Sequence, residues 1–129
     1  MRKIVFDYRV PYAETDQMGV VYYANYFVYF ERIRTELLRD CNLPYKELEA
    51  QGIFLPVIES HCNYFNSARY DDLLQLEGAI DYIKGAKVKI DCRVYCSDNN
   101  LLAEGYTIHA AIDAAGKPCR AKNVFASLF

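Results

Sequence analysis

The chain is 129 residues long, 25% of them charged, with a formal net charge of −2. That size supports one domain with its own core, and the charge balance excludes both a disordered acidic chain and a broadly basic nucleic-acid binder. No apolar run reaches the roughly 20 residues of a membrane-spanning helix, and the start, MRKIVFDYRVPY, lacks the apolar stretch of a signal peptide. A single domain over residues 1–129, without a transmembrane segment and in the cytoplasm, is therefore expected.

Residues 3–10, KIVFDYRV, are β-branched and aromatic and predict a first strand that ends at Pro11. An acidic turn follows, in which Gly19 marks a tight turn or a close backbone approach. From about Tyr22 to Cys41 the period changes. Tyr23, Tyr26, Phe27, Phe30, Ile33, Leu37 and Leu38 recur at steps of three and four, one broad helical stripe. Arg39 suits the C-terminal dipole and Asn42 is a terminator. Glu31 and Arg34, three apart, are spaced to pair on one helix face.

Residues 43–52 predict a short helical turn closed by Gly52. Strands are predicted over 53–66, 72–84, 86–97, 101–113 and 119–128, with turns at Asp81 to Gly85, Asp98 to Asn100 and Asp113 to Pro118. Alternation is clearest in KVKIDCRVYC, which places Val88, Ile90, Cys92, Val94 and Cys96 on one face. A strand, one long helix and a meander of hairpin-linked strands make an α+β plan. The antiparallel sheet then has one face on the helix and the other left for solvent or a partner subunit.

The five cysteines have no second pair at zinc-ligand spacing, and with two histidines there is little to build a metal site or a Ser-His-Asp triad. Buried reduced thiols, no metal, and structural roles for His61 and His109 are the expectation.

The stretch YAETDQMGVVYYANYF, residues 12–27, carries the candidate chemistry. Glu14, Thr15 and Asp16 are of the type that caps helices. Asp16, however, stands some way before the helical stripe, and apolar residues lie between. A carboxylate held beside the free amides of Tyr22, Tyr23 and Ala24 is the minimum apparatus for adding water to a carbonyl. Both readings stand on the spacing alone.

The run RVPYAETDQMGVVYYANYFVYFERIRTELLR resembles the N-terminal signature of hotdog-fold acyl-CoA thioesterases. It is most similar to the 4-hydroxybenzoyl-CoA thioesterase family and its subgroup encoded beside the Tol–Pal envelope system. The later segment SARYDDLLQLEGAI resembles that family's second signature. The resemblance implies a helix wrapped by a curved antiparallel sheet, two chains joined edge to edge, and a homodimer or a dimer of dimers. It implies hydrolysis of an acyl-CoA to a free acid and coenzyme A, with coenzyme A a part of the substrate and no cofactor bound. Asp16 is then the catalytic carboxylate, as general base or nucleophile, and the backbone amide of Tyr23 polarises the thioester carbonyl. Tyr12 matches a tyrosine near the active site. It is placed on the substrate side with Gly19 and with Asn25, whose side chain is set to fix the loop carrying Asp16. Where the Tol–Pal subgroup usually has histidine, this chain has Tyr23, so an amide role carries over and a histidine side-chain role does not.

Coenzyme A phosphates need local positive charge, for which Lys84 and Lys87 are the candidates, a solvated strand face being the alternative. Rival functions are a non-catalytic hotdog dimer that binds an acyl group or a partner protein, and a hotdog dehydratase, which requires an aspartate–histidine pair.

Overall fold

The computed structural model describes residues 2–125. Strand β1 spans Lys3–Arg9, and a single 3₁₀ turn, Tyr12–Glu14, opens the acidic segment. Helix α1 runs Asn25–Asp40 and the short α2 Tyr45–Ala50. Strands β2 (Val57–Tyr64), β3 (Leu73–Lys84), β4 (Lys87–Tyr95) and β5 (Leu101–Ala110) follow, then the one-turn α3, Ala121–Val124. All pairs are antiparallel and the sheet order is β1-β3-β4-β5-β2. One long helix against one antiparallel sheet is the α+β hotdog architecture.

The strands do not form a simple meander. The β3–β4 and β4–β5 links are tight turns, but β2 pairs with β5, so residues 65–72 must carry the chain back across to β1's neighbour. The β3–β4 turn is Gly85-Ala86, not 81–85. Asp81 lies inside β3 beside a register shift, where its carboxylate meets Lys89 at 3.1 Å. Residues 119–128 do not open as a strand. Ala121 and Phe125, four apart, are both buried, and that spacing makes a helical turn; residues 126–128 lie outside the described residues.

The core lies between α1 and the inner sheet face. Tyr26, Tyr29, Phe30, Ile33, Leu37 and Leu38 of α1 are buried, as are Leu74, Leu76 and Ile80 of β3 and Val88, Ile90, Cys92 and Val94 of β4. The helix starts three residues later than its apolar pattern predicts, so Tyr23 precedes it and is exposed; Phe27 is partly exposed and Tyr29 takes its place in the stripe. Asn42 does end the helix, with φ at 60° and Leu43 N–H on the Leu38 carbonyl. Glu31 and Arg34 form no ion pair among the described residues. The Arg34 guanidinium stacks over the Tyr45 ring at 4.2 Å instead, with its Nε buried and unbonded.

Gly78 of β3 sets how closely the helix approaches, because a Cβ there would overlap Ile33 Cγ2. Gly78→Ala should therefore lower stability by about 1–3 kcal/mol through overpacking, read by urea denaturation; a change within a few tenths would mean the helix rides freely over this site.

His109, buried in β5, has Nδ1 2.9 Å from the Leu55 carbonyl and Nε2 2.9 Å from Thr107 Oγ1. A carbonyl only accepts, so Nδ1 carries the proton and the neutral ring accepts the threonine hydroxyl at Nε2. Burial lowers its pKa; the Leu55 bond opposes this and Arg34 adds to it. The unfolded chain thus binds more protons just below pH ~6.5, and stability falls as pH drops through that value toward the folded pKa. His109→Gln should be less stable throughout yet show a shallower loss of melting temperature between about pH 7 and 5.5. An unchanged slope would assign the effect to other groups.

Candidate active site

The acidic turn is closed by its own backbone. Gly19 N–H bonds the Asp16 carbonyl (3.0 Å) and Asp16 N–H bonds the Val20 carbonyl (2.9 Å), with Gly19 at φ +77°. That left-handed angle suits glycine and is the local reason for Gly19. Asp16 Oδ1 accepts the Met18 amide at 2.8 Å, an Asx turn. Asp16 therefore caps its own turn and not α1, whose N-cap is Ala24 with no side-chain bond. Its other carboxylate oxygen has no protein partner among the described residues.

At the start of α1 the Tyr22 amide is taken by the Glu14 carbonyl at 2.9 Å. Among the described residues, the amides of Tyr23 and Ala24 donate to nothing. They form a positive helix end with two free donors. Of the three amides the sequence offers for a carbonyl oxygen, Tyr22 is thus removed and two remain.

Asp16 and Tyr23 line one cleft of about 260 Å³, together with Val20, Val21, Tyr26, Tyr64, Phe65, Asn66 and Ser67. The crossing segment after β2 supplies its far wall. It is pinned to the acidic turn by Val21 N–H on the Ala68 carbonyl (2.8 Å) and by a bridge between Val20 and Arg69. Tyr64, at the end of β2, donates its hydroxyl to the Tyr23 carbonyl at 3.2 Å. Tyrosine rings run in contact from Tyr8 through Tyr29, Tyr26 and Tyr64 to Tyr23, tilted at the first step and edge-to-face at the rest, with centroids 5.1 to 6.4 Å apart. Burial pushes the Tyr64 hydroxyl up to about 12, so it stays a donor at neutral pH.

The other sequence candidates lie outside this cleft. Tyr12 is exposed and stacks edge-on against Tyr70 at 5.5 Å. Gly19 shapes the turn without lining the cleft. Asn25 Nδ2 donates to the Glu14 carbonyl at 2.9 Å, fixing the loop two residues before Asp16. Lys84 and Lys87 face each other across the β3–β4 turn, both exposed. Tyr64, Phe65, Asn66 and Ser67 were not foreseen. Ser67 opens the second signature quoted above, which was the available signal that the segment comes to the site.

A second, more apolar cavity of about 280 Å³ lies along α1, lined by Phe27, Val28, Phe30, Glu31, Arg34, Val57, Ser60, Thr107 and His109. It shares α1 and β2 with the Asp16 cleft but contains neither Asp16 nor Tyr23.

Residues 10–129 match the thioesterase-like superfamily. The chain is 32% identical over 117 residues to a putative acyl-CoA thioesterase, YneP, of Bacillus subtilis, covering 90% of this chain and 85% of that protein. It is 37% identical to an acyl-CoA thioesterase, YbgC, of Haemophilus influenzae, over 87% and 82% of the two chains. A solved DHNA-CoA thioesterase from Staphylococcus aureus superposes with a TM-score of 0.91 at 26% identity, covering 99% of this chain and 87% of that one. The chain belongs to the thioesterase-like superfamily.

Proposed function

We propose that this member of the thioesterase-like superfamily is an acyl-CoA thioesterase, hydrolysing an acyl-CoA thioester to a carboxylic acid and coenzyme A. The relatives named for that activity support it. The observation that carries it is that Asp16, with one carboxylate oxygen unpartnered among the described residues, lines one cleft with Tyr23, whose amide is unbonded there and is followed by the unbonded amide of Ala24. The thioester carbonyl oxygen is received by the Tyr23 and Ala24 amides, which stabilise the negative charge that develops on it. Asp16 takes a proton from water as that water adds to the carbonyl carbon, or adds to the carbon itself to give a mixed anhydride that water then opens. In either route the first tetrahedral adduct collapses with cleavage of the C–S bond, before any anhydride is opened, and the thiolate of coenzyme A takes up a proton that the water has given. No metal or prosthetic group has a part in these steps.

The neighbouring apolar cavity along α1 is proposed for the acyl tail, since its lining includes Phe27, Val28, Phe30 and Val57. Lys84 and Lys87 are proposed for the coenzyme A phosphates, since the pantetheine arm carries the nucleotide away from the cleft to the surface. The cytoplasm is the proposed compartment for this activity.

Asp16→Asn tests the mechanism. Asparagine keeps an oxygen for the Met18 amide, so the turn and the melting temperature should change little. It lacks the basicity and the nucleophilic charge, so kcat should fall at least ~10²-fold with acyl-CoA affinity retained. In the same assay of thiol release, Tyr23→Phe should keep most activity, because the main-chain N–H is the proposed donor. Normal turnover in a folded Asp16→Asn protein would overturn the assignment, and complete loss in a folded Tyr23→Phe protein would shift the role to the hydroxyl.

A homodimer, alone or paired into a tetramer, is the proposed assembly. Strand β2 is a sheet edge, and Val57, Ile58, Tyr64 and the following Phe65 are each 44% to 52% exposed. An unpaired edge with apolar side chains is a surface that a second copy can complete. Sedimentation at micromolar concentration should show a dimer or larger; a stable monomer would count against it.

A further inference from the structure

Glu14, which the mechanism above does not use, is the most heavily bonded side chain near the site. Its Oε2 accepts the Tyr8 hydroxyl at 2.5 Å and its Oε1 accepts the Tyr29 hydroxyl at 2.7 Å. Its carbonyl accepts the Tyr22 amide and Asn25 Nδ2, both at 2.9 Å. One residue thus ties strand β1, the 3₁₀ turn, the residue before the free amides and helix α1 to a single point.

We infer that Glu14 is a positioning residue for the thioesterase reaction, holding the Asp16 carboxylate and the Tyr23 amide in register across the cleft. The inference rests on the reading of Asp16 and Tyr23 given above. Asp16 is two residues beyond Glu14, and the chain between is held by the Thr15–Val21 bridge. Tyr23 directly follows the residue whose amide Glu14 holds. Any shift of Glu14 therefore moves both partners, and a misplacement of about 1 Å in such a pair costs up to ~10²-fold in rate.

The chemistry of the node favours fixed geometry. A carboxylate only accepts, and short O–H···O⁻ bonds from two phenols hold it in both direction and distance. Both phenols stay protonated: burial, then the Glu14 carboxylate, pushes Tyr8 up to about 12, and Tyr29 is raised by the same causes in the same order. An apolar side chain at position 14 would fill the same space without the desolvation that a partly buried carboxylate suffers. Only the carboxylate sets the height of Tyr8 and Tyr29 together.

The test is a double-mutant cycle with Glu14→Gln and Asp16→Asn, followed by thiol release from an acyl-CoA and by hydrogen exchange. Glutamine fits the space but cannot accept both phenols as a charged group. Glu14→Gln should lower kcat at least ~10-fold with KM changed less than ~2-fold, and should add less than ~2-fold in the Asp16→Asn background. Amides 15–24 should exchange faster while those of β3 and β4 do not. A kcat within ~2-fold of the parent, a loss undiminished in the Asp16→Asn background, or unchanged exchange at 15–24 would each overturn the inference. Should Glu14→Gln not fold, Tyr8→Phe removes one of the two phenol bonds and enters the same cycle under the same criteria. Failure of the underlying reading looks different: Asp16→Asn alone would then turn over normally, or the parent would release no thiol, while the exchange measurement still decides the role of Glu14.

Discussion

Everything in this structure depends on how low α1 sits on the sheet. The helix touches every strand, and at Gly78 only a missing side chain admits Ile33. Most of the core is helix residue against strand residue, so the height of that contact sets the packing of Leu74, Leu76, Val88, Ile90 and Val94 alike. It also fixes the first helical turn in space. The free amides of Tyr23 and Ala24 are aimed by a helix axis decided two and a half turns away, at Ile33.

A helix seated by apolar contact alone leaves its N-terminal turn with little to hold it, because α1 has no side-chain cap. The polar node at Glu14 takes that part. Tyr29 belongs to both systems, its ring buried in the core and its hydroxyl on the Glu14 carboxylate. This double membership accounts for the choice of tyrosine where a helical stripe would otherwise take leucine or phenylalanine.

The sequence made legible whatever depends on short spacing. The helical stripe, the alternation of β4 and the stop at Asn42 follow from residues within a turn or a strand of one another. That Asp16 and Tyr23 come to one cleft could be anticipated because the motif that contains them is continuous. The misses are long-range. Nothing local to Val57–Tyr64 says that its partner is β5 rather than β3, and that pairing is what sends residues 65–72 across to build the far wall of the cleft. The exchange of Phe27 for Tyr29 in the core depends on a carboxylate fifteen residues earlier. Arg34 chose the Tyr45 ring over Glu31 because α2 folds back over α1, which the i,i+3 rule cannot see.

An acidic residue ahead of a helix ordinarily takes the orphan amides for itself. Here the acid is too far back to do so. Asp16 precedes the N-cap Ala24 by a loop long enough to hold a complete turn, and its Oδ1 closes that turn through Met18. The carboxylate is thereby fixed by one oxygen while the other has no partner among the described residues, and the helix start is left with two donors, Tyr23 and Ala24, that no described residue accepts from. Glu14 serves the helix start in place of Asp16, but through its carbonyl and through Tyr22, one residue short of the two free amides. The separation of these two acids divides the labour. One is bonded through both of its oxygens, and the other keeps one oxygen unpartnered, as the amides of Tyr23 and Ala24 are, among the described residues.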